Sequence, residues 1–556
     1  MSNLEDILKR IGEFGRYQIF LFCLLCLPSI GNGCYMMAIV LLAYTPKHRC
    51  KIPGYDNDTW AIQGSYHANL INRTIPTSED SFYDYDRCHV YTPTGTGNSS
   101  SVTKAQCSQW VYDRDTFDQT IVTQGNLVCS DEMKPAHAQM VYYCGVLVGD
   151  LFFGMLSDSF GRRKSILLAS ILLFISSVAT AFTTEFYSFT VLEFLVGASN
   201  HGLFILVVVM GIELTGPNRR MLAGVLMHLV FPVGLLYLTG AGFILRNWKT
   251  IQLVVAIPCI VHLGLYWVIP ESPRWLISQG RYKDAETILR KVAEKNRKPY
   301  PEKIDLSHIE QVKPGRVWQL FSSKTLAWRT CIIFLNWFSV SQIFFGTTIH
   351  MSNLGGNFYL KFLLLAVVEI PAIALTIGLL SKFGRRNVLA FFMILSGGSN
   401  LMTIFTVLLG GETFEPYTIA LCCVGKAGST GAFAVIYIFS SELFPTVVRT
   451  GGMGASSCVA RLGGMSAPYI AKLGSLVGSH YGQALPLVIF GVISVAAGLF
   501  TLLLPETLHK RLPDTIDEGT RFGTSAEDVN VYLQASDCLD DSEEKRASLL
   551  DEKTPL

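Results

Sequence analysis

The chain has 556 residues, of which 50% are apolar and only 16% are charged, and its mean hydropathy is +0.36. Soluble proteins carry about 25% charged residues, so the deficit indicates that much of the chain is solvated by lipid. The net charge of +2 is too small to indicate nucleic-acid binding, and no basic tract or zinc-type cysteine spacing supports that class. We therefore predict a membrane protein without a nucleic-acid partner.

The amino terminus leads directly into an apolar run. Residues 1–16 are amphipathic and lack the pattern of a cleavable signal. Residues 17–43 are too long for the apolar core of a signal peptide and have no small-residue cleavage site. We interpret them as the first membrane span, with residues 1–16 in the cytoplasm.

Residues 44–135 are polar and hold four cysteines. They also hold every N-glycosylation triplet of the chain, at Asn57, Asn72 and Asn98. Such triplets are modified in lumenal or extracellular loops, so we predict that this loop lies outside the cell. An even number of cysteines there predicts two disulfides, and four cysteines allow three connectivities. Free thiols in an unstructured loop are the alternative.

Apolar runs of about 20 residues then recur, each long enough to cross about 30 Å of hydrocarbon as a helix. Residues 136–268 contain spans 2–6 and residues 329–504 contain spans 7–12. The cytoplasmic segment 269–328 between them includes a helix with a charged face, and the acidic tail 505–556 is predicted to be largely disordered. The eleven runs are residues 138–156, 165–182, 189–211, 221–244, 250–268, 329–350, 359–380, 388–409, 417–439, 452–475 and 484–504.

Three short motifs occur twice, each after corresponding spans. The pairs are GMLSDSFGRRK at 154–164 with GLLSKFGRR at 378–386, ELTGPNRR at 213–220 with ELFPTVVR at 442–449, and PES at 270–272 with PET at 505–507. This repetition predicts two six-helix halves in parallel repeat, with substrate bound between them near the middle of the membrane.

Basic residues flank one set of short loops, at 162–164, 219–220, 382–386 and 449, whereas the opposite loops at about 183–188 and 410–416 carry none. The positive-inside rule places the glycine–arginine turns in the cytoplasm. The glycosylated loop then lies outside, so two independent arguments predict the same topology.

The glycine–arginine turn resembles the signature of the major facilitator superfamily, and PESPRWL at 270–276 is shared by its sugar porters and organic ion transporters. Four other motifs resemble the organic cation, anion and carnitine transporters, solute carrier family 22. They are WVYD at 110–113, NLVC at 126–129, VEIP at 368–371 and the repeat at 442–449. The resemblance runs from Tyr17 to about Leu512.

The resemblance implies an all-α major facilitator fold with twelve transmembrane helices in two six-helix halves and a large extracellular loop after the first helix. It also implies that Cys50 pairs with Cys107 and that Cys88 pairs with Cys129. Members of the family often carry six cysteines in this loop, so one bridge is absent here.

Ionisable residues inside spans are costly, which makes each a functional candidate. Glu369 lies near the middle of its span, followed by Pro371, which frees backbone carbonyls. Lys426 and Arg461 lie within two later spans. We predict that Glu369, Lys426 and Arg461 act in substrate binding or ion coupling. A structural ion pair, for example between Lys426 and Glu369, is the alternative.

Arg461 is the best indication of the substrate. In the family that the chain resembles, this position tends to be acidic in cation transporters and arginine in the anion and carnitine branches. A guanidinium can bind a carboxylate through two bonds. Asp150 and Glu193 place two acids in the first half. Glu193 departs from the family that the chain resembles, which usually has a base at that place in the fourth span. A cavity that holds charges of both signs favours a zwitterion, such as a carnitine-like betaine or an amine-bearing amino acid derivative, and next an organic cation. The alternative is that the two acids only form ion pairs between helices or at the cytoplasmic end.

Aromatic faces attract ammonium groups, and several aromatic and histidine side chains are expected near the cavity. The resemblance implies that three of them, Trp337, Phe344 and Phe231, line the substrate cage. Ordinary packing is the alternative for each. The remaining candidates are Tyr35, Phe345, Tyr437, His201 and His228.

The charges around the glycine–arginine turns are predicted to form a cytoplasmic gate, in which Asp158, Arg162, Glu213 and Arg219 latch adjoining helices. Ser381 stands where the first turn has Asp158, so only the first copy can complete an acid–base latch. Charges that merely set topology are the alternative. The other predicted gate residues are Gly161, Arg163, Gly384, Arg385, Glu442 and Arg449.

These features predict a secondary active or facilitative transporter of small organic cations or zwitterions, working by alternating access across the lipid bilayer of the plasma membrane. No nucleotide-binding loop, metal pattern or nucleophile–histidine–acid set occurs, so we predict neither an enzyme nor a cofactor. An organic anion transporter and a sugar-porter-like facilitator are the alternatives, and a glycosylated receptor is a remote one. Coupling to Na⁺ or H⁺ and the oligomeric state stay open.

Overall fold

The computed structural model describes most of the chain. The described residues are 4–78, 85–94, 101–216, 219–300, 315–353, 356–409, 414–477, 482, 484–510 and 512–523. The predicted glycosylation position Asn98 and the acidic end of the tail, residues 524–556, lie outside them.

Twenty α-helices occur within these ranges. In chain order they are α1 (Leu4–Arg10), α2 (Arg16–Leu42), α3 (Ser65–Thr74), α4 (Ile121–Gly125), α5 (Lys134–Phe160), α6 (Arg162–Ala181), α7 (Phe186–Leu214), α8 (Arg220–Leu229), α9 (Phe231–Leu245), α10 (Trp248–Ala256), α11 (Pro258–Val268), α12 (Pro273–Ser278), α13 (Tyr282–Lys295), α14 (Lys324–Asn353), α15 (Phe358–Phe383), α16 (Arg385–Leu409), α17 (Glu415–Leu443), α18 (Arg449–Val477), α19 (Leu485–Thr501) and α20 (Ile516–Arg521).

Ten helical segments of the described chain are long and apolar enough to cross a membrane. Two of them are helix pairs, because Pro232 and Pro258 interrupt what the sequence predicts as continuous fifth and sixth spans. The predicted eleventh span forms α18, which carries Arg461 and Lys472 among many small residues, and the twelfth forms the 17-residue α19. Both are helical as predicted, but their crossing of the membrane stays a prediction.

The helices form two halves, α2 to α11 and α14 to α19, and each glycine–arginine turn lies at the same end of its half. We call this end the basic end and the opposite one, where residues 44–78, 85–94 and 101–133 lie, the loop end. Within the first half, α5 and α7 pack closely at Gly145 and Gly149, where any Cβ would strike the backbone of Phe194 and Ala198. The halves share one hydrophobic core near the loop end.

The predicted outer loop folds on two small antiparallel sheets. Strand β1 (His48–Cys50) pairs with β4 (Trp110–Tyr112), and β2 (His89–Thr94) pairs with β3 (Ser101–Gln106). The two disulfides implied by the family resemblance are confirmed, since Cys50 bonds to Cys107 and Cys88 bonds to Cys129.

A buried ionic cluster stabilises this loop. Asp58 accepts hydrogen bonds from Arg49 at 2.5 Å and from His67 at 2.9 Å. Burial acts to raise the pKa of Asp58, but these bonds and one from the Ile52 amide outweigh it and hold that pKa below its ordinary value. The neighbouring glycosylation position Asn57 is exposed, as is Asn72 on α3. Glycosylation itself stays a prediction.

Segments at the basic end dock on both halves. Helix α1 packs its apolar face on α12 and α13. Beyond the last span, α20 packs beside α14, where Arg329 donates to the carbonyls of Gly519 at 2.8 Å and Phe522 at 2.7 Å. Residues 505–510 and 512–523 are therefore ordered, because a buried arginine and the apolar Phe522 fix them, and the predicted disorder of residues 524–556 stays a prediction.

Candidate substrate cavity and gate

A cavity of ≈ 70 Å³ lies between the two halves, at the level of Arg461. It shares five lining residues with a larger cavity of ≈ 680 Å³ that continues to Glu442, Thr450 and Ser457 at the basic end. We call the two together the central cavity. Its inner part is lined by Asn32, Met36, His201, Phe204, His228, Phe231, Phe344, Phe345, Glu369, Ile373, Thr430, Phe433, Ala434, Tyr437 and Arg461.

Three charged and polar side chains from three helices meet at the wall of this cavity. His201 Nδ1 lies 2.5 Å from Asp150 Oδ1, and Arg461 Nη2 lies 3.0 Å from His201 Nε2. Arg461 Nε is also 3.5 Å from Asp150 Oδ2. Because a guanidinium only donates, Nε2 must accept and Nδ1 carries the proton that is donated to Asp150. The triad therefore holds a neutral histidine between a matched acid and base, and it joins the first half to the second.

Glu369 and Lys426 form a second ion pair, which lies entirely within the second half. Lys426 Nζ is 3.1 Å from Glu369 Oε1, with side-chain exposures of 0% and 2%. The ammonium also donates to Thr348 at 3.1 Å and lies 3.1 Å from the centre of the Phe344 ring. The pairing that the sequence offered as a structural alternative is thus present. Glu369 lines the cavity, whereas Lys426 lies behind Phe344.

Most of the predicted aromatic and histidine candidates do surround the cavity. Phe231, Phe344, Tyr437 and His228 line it, and the His228 and Tyr437 rings are 5.2 Å apart. Trp337 lies behind this wall, since its Nε1 donates to Ser440 and its ring contacts Tyr437.

Two further candidates lie elsewhere. Tyr35 is buried inside the first half, where its hydroxyl lies 2.9 Å from the Ser177 hydroxyl and 3.2 Å from the Val255 carbonyl, so the structure does not bring it to the cavity. Glu193 is buried in α7, and its Oε1 has no hydrogen-bond partner among the described residues. Neither side chain lines the central cavity.

Several residues that line the cavity are not predicted from the sequence. Asn32 lies in the first span and accepts a hydrogen bond from Asn200. Phe433 lies one helical turn before Tyr437, a spacing that places both on one face of α17, and its ring is 5.5 Å from Phe344. The polar Asn32 between two glycines and the spacing of Phe433 were the available signals.

The first glycine–arginine turn forms the predicted acid–base cluster. Arg162 contacts Asp158 at 2.7 Å and Glu213 at 3.2 Å. Gly161 has a φ of 96°, which favours glycine. Glu271 accepts hydrogen bonds from the backbone amides of Arg162 and Arg163 and so caps the start of α6.

The second turn repeats this arrangement without the exposed acid. Arg385 contacts Glu442 at 3.1 Å, and Gly384 has a φ of 83°. Glu506 accepts from the backbone amides of Arg385 at 2.8 Å and Arg386 at 3.1 Å. Ser381 instead donates to the Gly378 carbonyl. The two repeated acids, Glu271 and Glu506, therefore have the same capping role in the two halves.

The predicted gate residues hold helices within one half rather than across the halves. Arg219 is exposed, and no ion pair within the described residues joins it to the cluster at Arg162. Arg163 donates to the Tyr266 carbonyl, and Arg449 donates to the Phe444 carbonyl. Within the described residues, no predicted gate residue forms an ion pair between the two halves.

The halves meet at the loop end. The Tyr359 hydroxyl of α15 donates to the carbonyl of Thr116 at 2.6 Å and lies 3.1 Å from that of Gly242. The Phe358 ring packs on Tyr44 and Phe117 of the first half, at 5.0 and 5.4 Å. We call these residues the loop-end contact. The central cavity is closed at this end and continues toward the basic end.

Membrane-length helices in two halves, with a charged cavity between them open at one end, define a transporter of the major facilitator fold. Solved structures show the same fold. The proton:xylose symporter XylE bound to 6-bromo-6-deoxy-D-glucose aligns with a TM-score of 0.59 at 17% identity, covering 91% of this chain and 99% of that one. A partially occluded inward-open XylE from E. coli aligns with a TM-score of 0.57 at 18% identity, covering 89% and 100%.

Sequence relatives narrow the family. Residues 103–516 match the family described as sugar (and other) transporter. The organic cation transporter protein of Drosophila melanogaster is 37% identical over 533 residues, covering 93% of this chain and 95% of the relative. Organic cation/carnitine transporter 2 of Mus musculus is 34% identical over 543 residues, covering 94% of each. The chain belongs to the sugar (and other) transporter family and, within it, to solute carrier family 22, the family of organic cation, anion and carnitine transporters.

Proposed function

We propose that the protein carries small organic cations and zwitterions across the plasma membrane by alternating access, with its basic end in the cytoplasm. Its relatives are named as organic cation and carnitine transporters. The positive-inside rule supports the orientation. In that orientation, the structure has its central cavity open to the cytoplasm.

The observation that carries the proposal is the triad of Asp150, His201 and Arg461. A zwitterion supplies an ammonium for Asp150 and a carboxylate for Arg461, so it can replace the internal partner of each without leaving a buried charge unpaired. A plain cation can pair only with Asp150 and leaves Arg461 without a new partner, whereas a dianion can pair only with Arg461 and leaves Asp150 without one. This matching favours zwitterions that carry one charge of each sign.

The rest of the cavity supports the same substrate class. The pair of Glu369 and Lys426 is internally neutral, so it adds no net charge. The faces of Phe231, Phe344 and Tyr437 line the space beside it. Each aromatic face attracts an ammonium group by about 0.5–2 kcal/mol, which adds affinity for the cationic end only.

Alternating access requires two changes in this structure. The loop-end contact must break, and the central cavity must close at the basic end. A substrate drives that change only by binding one state better than the other. The triad joins the two halves. When a substrate replaces the contacts between Asp150, His201 and Arg461, this link between the halves is released, so substrate binding is coupled to movement of one half relative to the other.

Uptake into expressing cells tests the proposal, with labelled carnitine, tetraethylammonium and p-aminohippurate compared with and without sodium. Arg461→Ala should reduce carnitine uptake at least about tenfold, the loss of a charge-assisted contact worth about 1.5–3 kcal/mol, while sparing tetraethylammonium more. Arg461→Lys, which keeps the charge, should retain part of the carnitine uptake.

Surface abundance of each variant must be measured, so that loss of protein is not taken for loss of transport. Equal loss of carnitine and tetraethylammonium uptake at normal abundance would show that Arg461 is structural. Saturable glucose uptake that these organic ions do not inhibit would overturn the organic-ion assignment and favour a sugar-porter-like facilitator.

A further inference from the structure

A separate cavity of ≈ 510 Å³ lies on the outside of the first half at its basic end. It is bounded by the end of α5 and the start of α6, by the end of α11, and by α12 and α13. None of its lining residues lines the central cavity. We call this cavity the lateral groove.

The lateral groove contains four bases and two acids, and both acids are already engaged. Glu271 accepts the backbone amides at the start of α6 and that of Ser272. Asp284 pairs with Arg281 at 2.7 Å. Asp284 therefore balances Arg281, and the charge of Glu271 balances only one of the other three bases, because backbone amides are neutral; four bases against two acids give the groove a net charge of +2.

Those three bases are Arg163, Lys164 and Lys291. The two lysines are exposed, and among the described residues neither has an ion pair or hydrogen bond from its side chain. Arg163 uses Nε to donate to the Tyr266 carbonyl at 2.6 Å, and its guanidinium carbon lies 4.3 Å from the centre of the Tyr266 ring. These contacts orient the Arg163 side chain, but neither partner is charged, so the positive charge of Arg163 is not neutralised by them.

The rim of the lateral groove is apolar and faces outward from the helix bundle. Trp267 is 73% exposed, Phe160 62% and Val268 47%, at the ends of two membrane helices. Tryptophan at such a position is typical of the membrane–water interface. A ligand in the groove thus contacts cationic side chains on one side and the acyl region of the bilayer on the other.

We propose that the lateral groove binds a phospholipid whose headgroup carries more than one negative charge, taken from the membrane leaflet at the basic end. The headgroup phosphates bind Arg163, Lys164 and Lys291, and the acyl chains lie along Trp267 and Phe160. Basic pockets beside membrane helices bind such headgroups, with each base near the surface adding to affinity. The site goes beyond transport and does not depend on which substrate is carried.

The binding would tie α13 to the membrane end of the first half. Lys164 lies in the first turn of α6, whereas Lys291 belongs to α13, which packs on α1 and α12. A single headgroup bridging both lysines therefore fixes this peripheral helix layer against the bilayer. The position of the layer formed by α1, α12 and α13 then depends on the lipid composition of the membrane.

The test measures binding of short-chain phosphatidylinositol 4,5-bisphosphate to the full chain in phosphatidylcholine nanodiscs, without transport substrate. The double variant Lys164→Gln/Lys291→Gln should weaken binding by about tenfold or more. The matched control Lys283→Gln/Lys295→Gln removes the same charge from exposed positions of α13 outside the groove and should leave affinity within about twofold.

Free inositol 1,4,5-trisphosphate separates the headgroup from the lipid. It should bind much more weakly than the lipid, because it lacks contacts with the apolar rim. Lys291→Gln alone should weaken lipid binding by a smaller factor, which keeps the test usable if the double variant does not fold.

Three results would overturn the proposal: unchanged affinity in the groove variants, an equal loss in the matched control, or equal binding of the free headgroup. An equal loss in the control would mean general attraction to the basic end. All three are independent of uptake, so failure here leaves the proposed transport function untouched, and failure of transport leaves this site untouched.

Discussion

Substitution of Lys426 tests whether its ion pair with Glu369 stabilises the second half. Its ammonium is 3.1 Å from Glu369 Oε1, and both side chains are inaccessible. Two unit charges at that distance attract by about 5 kcal/mol at an effective dielectric constant of about 20, before the cost of removing them from water is counted. Substituting Lys426 alone removes this attraction and leaves the carboxylate of Glu369 buried without a cation.

We expect Lys426→Met to lower the free energy of unfolding by about 3–5 kcal/mol, the usual cost of breaking a buried pair. Glu369→Gln should have a similar effect because it leaves the ammonium unpaired. The double variant Glu369→Gln/Lys426→Met should lose much less than the sum, since no charge remains buried.

Equilibrium unfolding of the four proteins in mixed detergent micelles gives the coupling energy of this double-mutant cycle. Additive losses would refute the reasoning, because they would show that the two side chains do not stabilise each other. If the double variant is stable yet inactive in uptake, the pair acts in transport as well, as the position of Glu369 on the cavity wall predicts.

Three further outcomes are expected. Burial lowers the pKa of His48 to about 4, so the outer loop should lose about 3 kcal/mol of stability as pH falls from 6.5 to 4; hydrogen exchange would show this, and His48→Phe should flatten the profile. Glu271→Gln and Glu506→Gln should each lower the unfolding temperature, by the loss of a helix cap worth about 1 kcal/mol; an effect on one half only would contradict their equivalence. Asp158→Asn should impair uptake much more than Ser381→Ala; comparable effects would count against a one-sided latch.

Local sequence was sufficient for the long helices, whereas the two small sheets of the outer loop were not predicted. Apolar runs predicted the helices, because a span must satisfy its backbone internally, and the repeated turns predicted where the two halves correspond. Periodicity did not show the breaks at Pro232 and Pro258, where the apolar composition continues through the proline.

The cavity depends on contacts that no single segment contains. The sequence indicates Asp150, His201 and Arg461 separately, yet their contact depends on the relative rotation of three helices. Tyr35 was expected at the cavity because it is aromatic and intramembrane. Helix α2 is buried on most of its surface, so its composition could not show which side faces the cavity.

The loop-end contact gives the outer loop a place in the transport cycle. Thr116 and Phe117 belong to that loop, yet they are held by Tyr359 and Phe358 of the second half. Their release must accompany any opening toward the loop end. An antibody fragment that grips this segment in its bound form would therefore arrest the carrier without entering the cavity, which separates inhibition from competition with the substrate.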